Sequence, residues 1–213
     1  MGAAKSTILV FGDQLNRSIS ALADADPRAD RVLMIESVGK IRSRSWHIQR
    51  IHLIVAAMRR FSDELRAEGF DVDYRIVDSM GAGLRAHRLE HEPTDVRATE
   101  PNSWSARQFL ERNDVRQVRS NQFLCHPDDF ATFASGRKSY KMEDFYRWQR
   151  VRLGYLVEGD QPIGGKWNLD SENREPPPRD GSVVWASPPT GTPDDLDHEI
   201  IATYRDVSWG DVP

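Results

Sequence analysis

The sequence predicts an α/β fold, doubly wound about a mostly parallel sheet of five strands with helices on both faces. Three observations carry that prediction. Short, continuously apolar, β-branched runs recur and each stops on polar residues, as do strands buried on both faces of a parallel sheet. A long stretch carries apolar residues at three- and four-residue steps, the period of a helix that buries one stripe. Strand and helix signals alternate at short spacing, which is the pattern of βα units. With 213 residues, 38% hydrophobic and 29% charged, the soluble chain has enough apolar surface for one core with appended segments.

The first strand is the run Thr7 to Phe11, which stops at Gly12-Asp13-Gln14. Arg31 to Ile35 repeats the pattern and ends at Glu36-Ser37. From about Trp46 to Glu68 the residues Ile51, Ile54, Val55, Met58, Phe61 and Leu65 line one face of a helix that Gly69 terminates. Val72 to Val77 is a third strand and Asp95 to Thr99 a fourth, ending at Glu100-Pro101-Asn102-Ser103. Ser103 is placed to cap the helix that holds Trp104, Phe109 and Leu110. Val115 to Ser120 is more polar, as suits a sheet edge. Residues 5–135 therefore form a Rossmann-like domain.

After Gly136 the composition changes. Arg137 to Arg152 carries six basic residues against two acidic ones, with Tyr140, Phe145, Tyr146 and Trp148 among them. Met142, Phe145, Tyr146, Leu153 and Leu156 fall at helical spacing, so residues 136–158 read as a basic aromatic helix docked on the domain. Its charge also suits phosphates, with the aromatics stacking on bases. Docking, with arginine stems covering apolar surface, is the commoner use of such a helix. Residues 159–213, rich in Pro, Gly, Ser and Asp, read as a linker-like tail.

No run of about 18 apolar residues crosses a membrane, and Met1 to Thr7 has no signal-peptide pattern, so a cytoplasmic protein is expected. The net charge of −4 argues against coating nucleic acid by bulk charge. A single cysteine, Cys125, excludes an internal disulfide, a four-cysteine zinc site and an iron–sulfur cluster within these residues, and reads as a small buried hydrophobe.

In a doubly wound sheet ligands bind beyond the carboxyl ends of the strands, where the strand order reverses. Gly12, Asp13 and Gln14 are the first candidates, since glycine after a buried strand lets a ligand approach the backbone. An ordinary strand-to-loop turn accounts for the same residues, and no Gly-x-x-Gly follows to make a dinucleotide fingerprint. Glu36 and Ser37 come next, with Glu36 able to accept ligand hydrogen bonds, cap a helix or face water. His47 and His52, five residues apart, miss the i, i+4 step of a metal pair and read as surface residues.

Four motifs occur in order: Phe11-Gly12-Asp13-Gln14-Leu15; Ala57-Met58-Arg59-Arg60-Phe61; Gly136-Arg137-Lys138 with Met142 to Arg147; and Gly164-Gly165-Lys166-Trp167-Asn168 through Arg174. Together they resemble the deoxyribodipyrimidine photolyase-related proteins, the bacterial six-four photolyases and cryptochromes that carry an iron–sulfur cluster. The resemblance runs over about residues 7 to 175. It implies DNA photorepair or blue-light signalling, with an N-terminal antenna domain for 6,7-dimethyl-8-ribityllumazine and a helical C-terminal domain for FAD and the cluster. On that footing Gly12, Asp13, Gln14 and Leu15 would line the lumazine, Glu36 and Ser37 would add contacts, and Ile54 would lie against its ring. Lys40, Arg42 and Arg44 stand where relatives contribute an acidic contact.

The resemblance covers the antenna domain alone. FAD and the cluster are not expected in this chain, no catalytic residue or metal ligand is assigned, and contact with damaged DNA is expected only through a separate FAD-binding helical domain. Two alternatives remain: a stand-alone small-ligand or nucleotide-binding protein, and a remnant or subunit that docks such a domain.

Overall fold

The computed structural model describes residues 5–170, 176, 178–187 and 191–211. The part of the last motif at residues 171–174 lies outside the described residues. The chain divides into two compact units, Met1–Gln122 with Thr192–Pro213, and Phe123–Gly191.

In the first unit the central strands are β1 (Ser6–Val10), β2 (Asp30–Ser37), β4 (Asp71–Val77), β5 (Val96–Thr99) and β6 (Arg116–Val118). Their order is β4-β2-β1-β5-β6, every pair parallel, so the order reverses between β1 and β5. Alternate residues of each strand point to opposite faces. Ile8, Val10, Val32 and Met34 pack under Met58, Phe61 and Leu65 of α3 (Ile48–Ala67) and under Ala21 and Leu22 of α1 (Ser20–Ala23). Leu9, Leu33 and Ile35 pack on the other face with Leu84 of α4 (Met80–His91) and Leu110 of α5 (Trp104–Arg112). Both faces are therefore covered, and a doubly wound α/β sheet is the architecture. β6 has three residues and sits at the edge, as its polar composition requires.

Boundaries follow local chemistry. Gly69, with φ +91°, stops α3, since that backbone conformation suits glycine. The Ser103 hydroxyl accepts from the Ala106 amide and starts α5. Helix α4 gave little periodic signal in the sequence because its buried face is made of Gly83, Leu84 and His87, with Leu84 the one large apolar side chain among them. A Cβ on Gly83 would lie 2.9 Å from Ile35 Cδ1, so the helix sits directly on β2.

The 159–213 tail is not linker-like throughout. Asp195–Tyr204 forms α8, opened by a reciprocal capping box between Asp194 and Asp197. Ile200 and Tyr204 are fully buried against Ile48, Ile51, Val55 and Ala56 of α3. Averaging composition over the whole tail hid ten helical residues behind the Pro- and Gly-rich stretch before them. Ser208–Trp209 (β9) then pairs with Trp46–His47 (β3) at the head of α3. His47 caps α3 through Nδ1, 3.2 Å from the Gln49 amide, with its ring edge-on to Trp209, and His52 bonds Asp197 at 2.8 Å. Both histidines, read from the sequence as surface residues, are half-buried structural parts.

The second unit holds α6 (Pro127–Ala134), α7 (Met142–Leu153) and a hairpin of β7 (Val157–Glu158) and β8 (Gln161–Pro162). The first unit ends at Gln122, not near residue 135, because Phe133 of α6 packs against Phe145 and Trp148 of α7 at 5.3 and 5.4 Å between ring centres. The expected apolar stripe on α7 is only partly used: Met142 and Leu156 are exposed, and no residue of the helix is fully buried. Cys125 is half-buried. Among the described residues no helix is long and apolar enough to cross a membrane.

Ile200 tests whether α8 belongs to the core. Ile200→Ala is expected to cost about 2–5 kcal/mol, the range for deleting a fully buried aliphatic side chain, in denaturant unfolding of the whole chain. A loss below about 0.5 kcal/mol, typical of surface positions, would mean that α8 is peripheral.

Candidate functional site

At the carboxyl ends of β1, β2 and β5 lies a cleft of about 580 Å³, within the size range of small-molecule sites. It spans the point where the strand order reverses. Gly12 and Asp13 enter from the loop after β1, Glu36 and Ser37 from the end of β2, and Pro101 and Ser103 from the loop after β5. The floor is the α3 face that carries Ile54 and Met58, with Phe109 of α5 as a second apolar wall. Ile54 is 40% exposed although its neighbours Val55 and Met58 are buried, so an aliphatic side chain stands open in the cleft. A Cβ on Gly12 would come within 3.0 Å of Met58 Sδ and 3.4 Å of Ile54 Cγ2. Glycine there brings the β1 loop down onto that floor.

Five of the seven sequence candidates, Gly12, Asp13, Glu36, Ser37 and Ile54, border this one cleft. Gln14 and Leu15 turn away from it. Gln14 is buried, and its Nε2 donates to the carbonyls of Thr99 and Glu100 at 3.2 and 3.3 Å, joining the β1 and β5 exits. Leu15 packs on the α3 side of the core. Ser37 accepts from the Lys40 amide at the start of the short α2 (Val38–Arg42) and donates to the Asp78 carbonyl at 3.0 Å. Among the described residues Asp13 has one weak side-chain bond, from Asn102 Nδ2 at 3.4 Å.

Glu36 is the most committed of the set. Arg59 of α3 donates through Nε to Oε2 and through Nη2 to Oε1, both at 3.0 Å, the two-pronged geometry that guanidinium and carboxylate share. Tyr74 of β4 donates to Oε2 at 2.7 Å, and Tyr204 of α8 donates to Oε1. Burial by itself would raise the carboxyl pKa, but the bonds from Arg59, Tyr204 and Tyr74 outweigh it and hold the group below the usual carboxylate value. Burial beside that anion pushes both tyrosine hydroxyls up, so they remain donors. Glu36 thus reaches the cleft as a neutralised, fully bonded group.

Residue types alone did not single out Trp46, Arg50, Met80 or Phe109, which also border the cleft. Arg50 follows Trp46 by four residues, and this i, i+4 spacing was the available signal. Elsewhere, Asp73, His87 and His91 offer ligand atoms within 4.8 Å of one another. Asp73 Oδ2 already accepts from Arg75 Nε and His87 Nδ1, both at 2.6 Å, while Thr7 takes His87 Nε2 at 2.8 Å. A guanidinium in that position opposes a cation, and the cluster reads as satisfied core polarity. On α7, Arg150 donates to the carbonyls of Tyr155 and Leu156, Arg152 to that of Leu124, and Arg147 pairs with Glu143, so these basic side chains serve their own unit.

A parallel α/β unit with an apolar cleft across its switch point has the geometry at which such sheets take ligands. Comparison with known proteins then names the family. The family model for deoxyribodipyrimidine photo-lyase-related protein matches residues 8–210, and the chain belongs to that family. A (6-4) photolyase of Agrobacterium fabrum is 36% identical over 212 residues, an alignment that covers 93% of this chain and 41% of that relative. The chain therefore spans well under half the length of the curated relative it matches.

Replacing Glu36 by Gln takes away the buried partner of Arg59 and leaves it only the exposed Glu199, which is expected to cost about 3 kcal/mol at neutral pH. The folded carboxyl titrates below its ordinary 4.5, so its stabilisation is complete above that value and fades as pH falls through the lowered pKa. The stability gap between wild type and Glu36→Gln should hold from neutral pH to about pH 5 and close below it. Denaturant unfolding at several pH values checks this; a gap that widens on acidification contradicts it.

Proposed function

We propose that these residues are the antenna-chromophore domain of a photolyase-related protein and that the cleft holds a ribityllumazine. The observation that carries this reading is the open apolar floor, Ile54 and Met58, brought under the Gly12 loop at the switch point of the sheet. The residues suit the group: a flat ring needs an apolar shelf with room above it, and a polyhydroxyl chain needs short polar side chains at its edge. Ile54, Met58 and Phe109 would hold the ring, and Asp13, Ser37 and Ser103 would face the chain. When bound, the lumazine supplies light absorption. The protein's part is to position it, exclude water from its ring and fix its orientation.

Repair chemistry on this reading belongs to a helical FAD-bearing partner domain. With Cys125 as the chain's one cysteine, a four-cysteine iron–sulfur cluster would also have to be held by residues other than these. Damaged DNA would be met through that partner. The Agrobacterium fabrum relative, named as a (6-4) photolyase, supports the family setting.

Fluorescence titration with 6,7-dimethyl-8-ribityllumazine tests the site. Ile54→Trp is expected to weaken binding by about 1–3 kcal/mol by filling the ring's space. Asp13→Ala should lose about 0.5–1.5 kcal/mol. Unaltered binding by Ile54→Trp would move the chromophore elsewhere, and no binding by wild type would favour a remnant or docking subunit. In a second assay, the 213 residues with added FAD are expected to show no light-dependent repair of a six-four lesion, and measurable turnover would overturn the division of labour.

A further inference from the structure

We propose that the cleft selects a chromophore whose polar chain ends in an anion, a phosphomonoester rather than a free hydroxyl. The inference rests on reading the cleft as the chromophore site. It starts from the charges that border it: Lys40, Arg50, Asp13 and Glu36. Glu36 is cancelled by Arg59. Asp13 alone is left to oppose two cations, and neither Lys40 nor Arg50 makes an ion pair among the described residues. The open charge of the cleft is therefore positive, within a chain whose net charge is −4.

The cations are also arranged. The Arg50 guanidinium lies 4.5 Å from the centre of the Trp46 ring, and Trp46 itself borders the cleft. Stacking on an indole holds the guanidinium by its face and leaves its N–H edge free, the edge that matches phosphate oxygens. Arg44 stands over the same ring at 5.8 Å and adds to the local field. Lys40 comes from α2, whose Ser37 cap and Gly39 amide, 2.9 Å from the Asp78 carbonyl, fasten it beside the end of β4. One wall of the cleft is thus a basic edge around an indole, and the floor next to it is aliphatic. A neutral ribityl chain would shield these cations from water and give them no counter-charge, which is unfavourable. A terminal phosphate would supply it.

The test uses two ligands that differ only in that group, 6,7-dimethyl-8-ribityllumazine and its 5′-phosphate, titrated against the full chain at low and high salt. The phosphorylated ligand is expected to bind at least about tenfold more tightly at low salt. Salt should shrink that advantage by screening. In Lys40→Gln/Arg50→Gln the ratio of the two affinities, which cancels any change common to both ligands, should fall to about one, and an unchanged unfolding midpoint would show that the fold is intact. Inorganic phosphate should compete with the phosphorylated ligand alone. Equal affinities, or an advantage that survives the double substitution, overturn this inference and leave the chromophore site standing. Binding of neither ligand overturns the chromophore reading and this inference with it.

Discussion

One buried carboxylate organises the first unit. Glu36 stands at the end of β2, and the groups bonded to it come from α3, β4 and α8. A carboxylate removed from water is tolerated only when it is paired and hydrogen-bonded on most of its lone pairs, and here four donors meet two oxygens. Each element is thereby held to the same point. α3 cannot slide along the sheet without breaking its two-pronged contact, and α8 cannot leave without exposing an anion to an incomplete shell.

The cleft inherits its shape from that constraint. Arg59 sits one residue after Met58 and five after Ile54 on α3, so fixing Arg59 fixes the height and rotation of the floor. A second clamp acts farther along the same helix pair, where Asp197 receives both His52 Nε2 and Arg60 Nη2 at 2.8 Å. The Asp194 amide, bonded to the same carboxyl at 3.0 Å, does most to hold it well below its usual pKa, and His52 and Arg60 add to that. The binding surface is made of aliphatic and small residues, but its position is set by polar groups beneath and behind it.

The sequence showed most of the sheet and little of this network. Runs such as Thr7 to Phe11 and Arg31 to Ile35 could be read because burial on both faces leaves a continuous apolar signal. Ser103 and Gly69 could be read because helix ends demand particular chemistry. Helix α4 gave little signal since Leu84 is the one large apolar side chain on its buried face, and α8 was masked by its neighbours. Five of the seven candidate site residues reached one cleft because strand ends converge in this fold. Gln14 turned inward, which no local pattern foretells, since its partners Thr99 and Glu100 lie more than eighty residues away. The role of Glu36 was equally hidden: its donors are scattered from Arg59 to Tyr204.

That scatter has a consequence in time. Glu36 and Tyr204 are separated by 168 residues, and the intervening chain includes the whole second unit. During synthesis at roughly 5–20 residues per second, the finished sheet and α3 would wait about 4–17 s, from Val118 of β6 to Tyr204, before the ribosome delivers the last donor to the buried anion. Through that interval the face of α3 that carries Ile48, Ile51 and Val55 has no cover from Ile200 and Tyr204. The nascent protein thus passes through a stage with a greasy flank and a carboxylate short of one hydrogen bond, and chaperone demand should fall on that stage rather than on the finished fold.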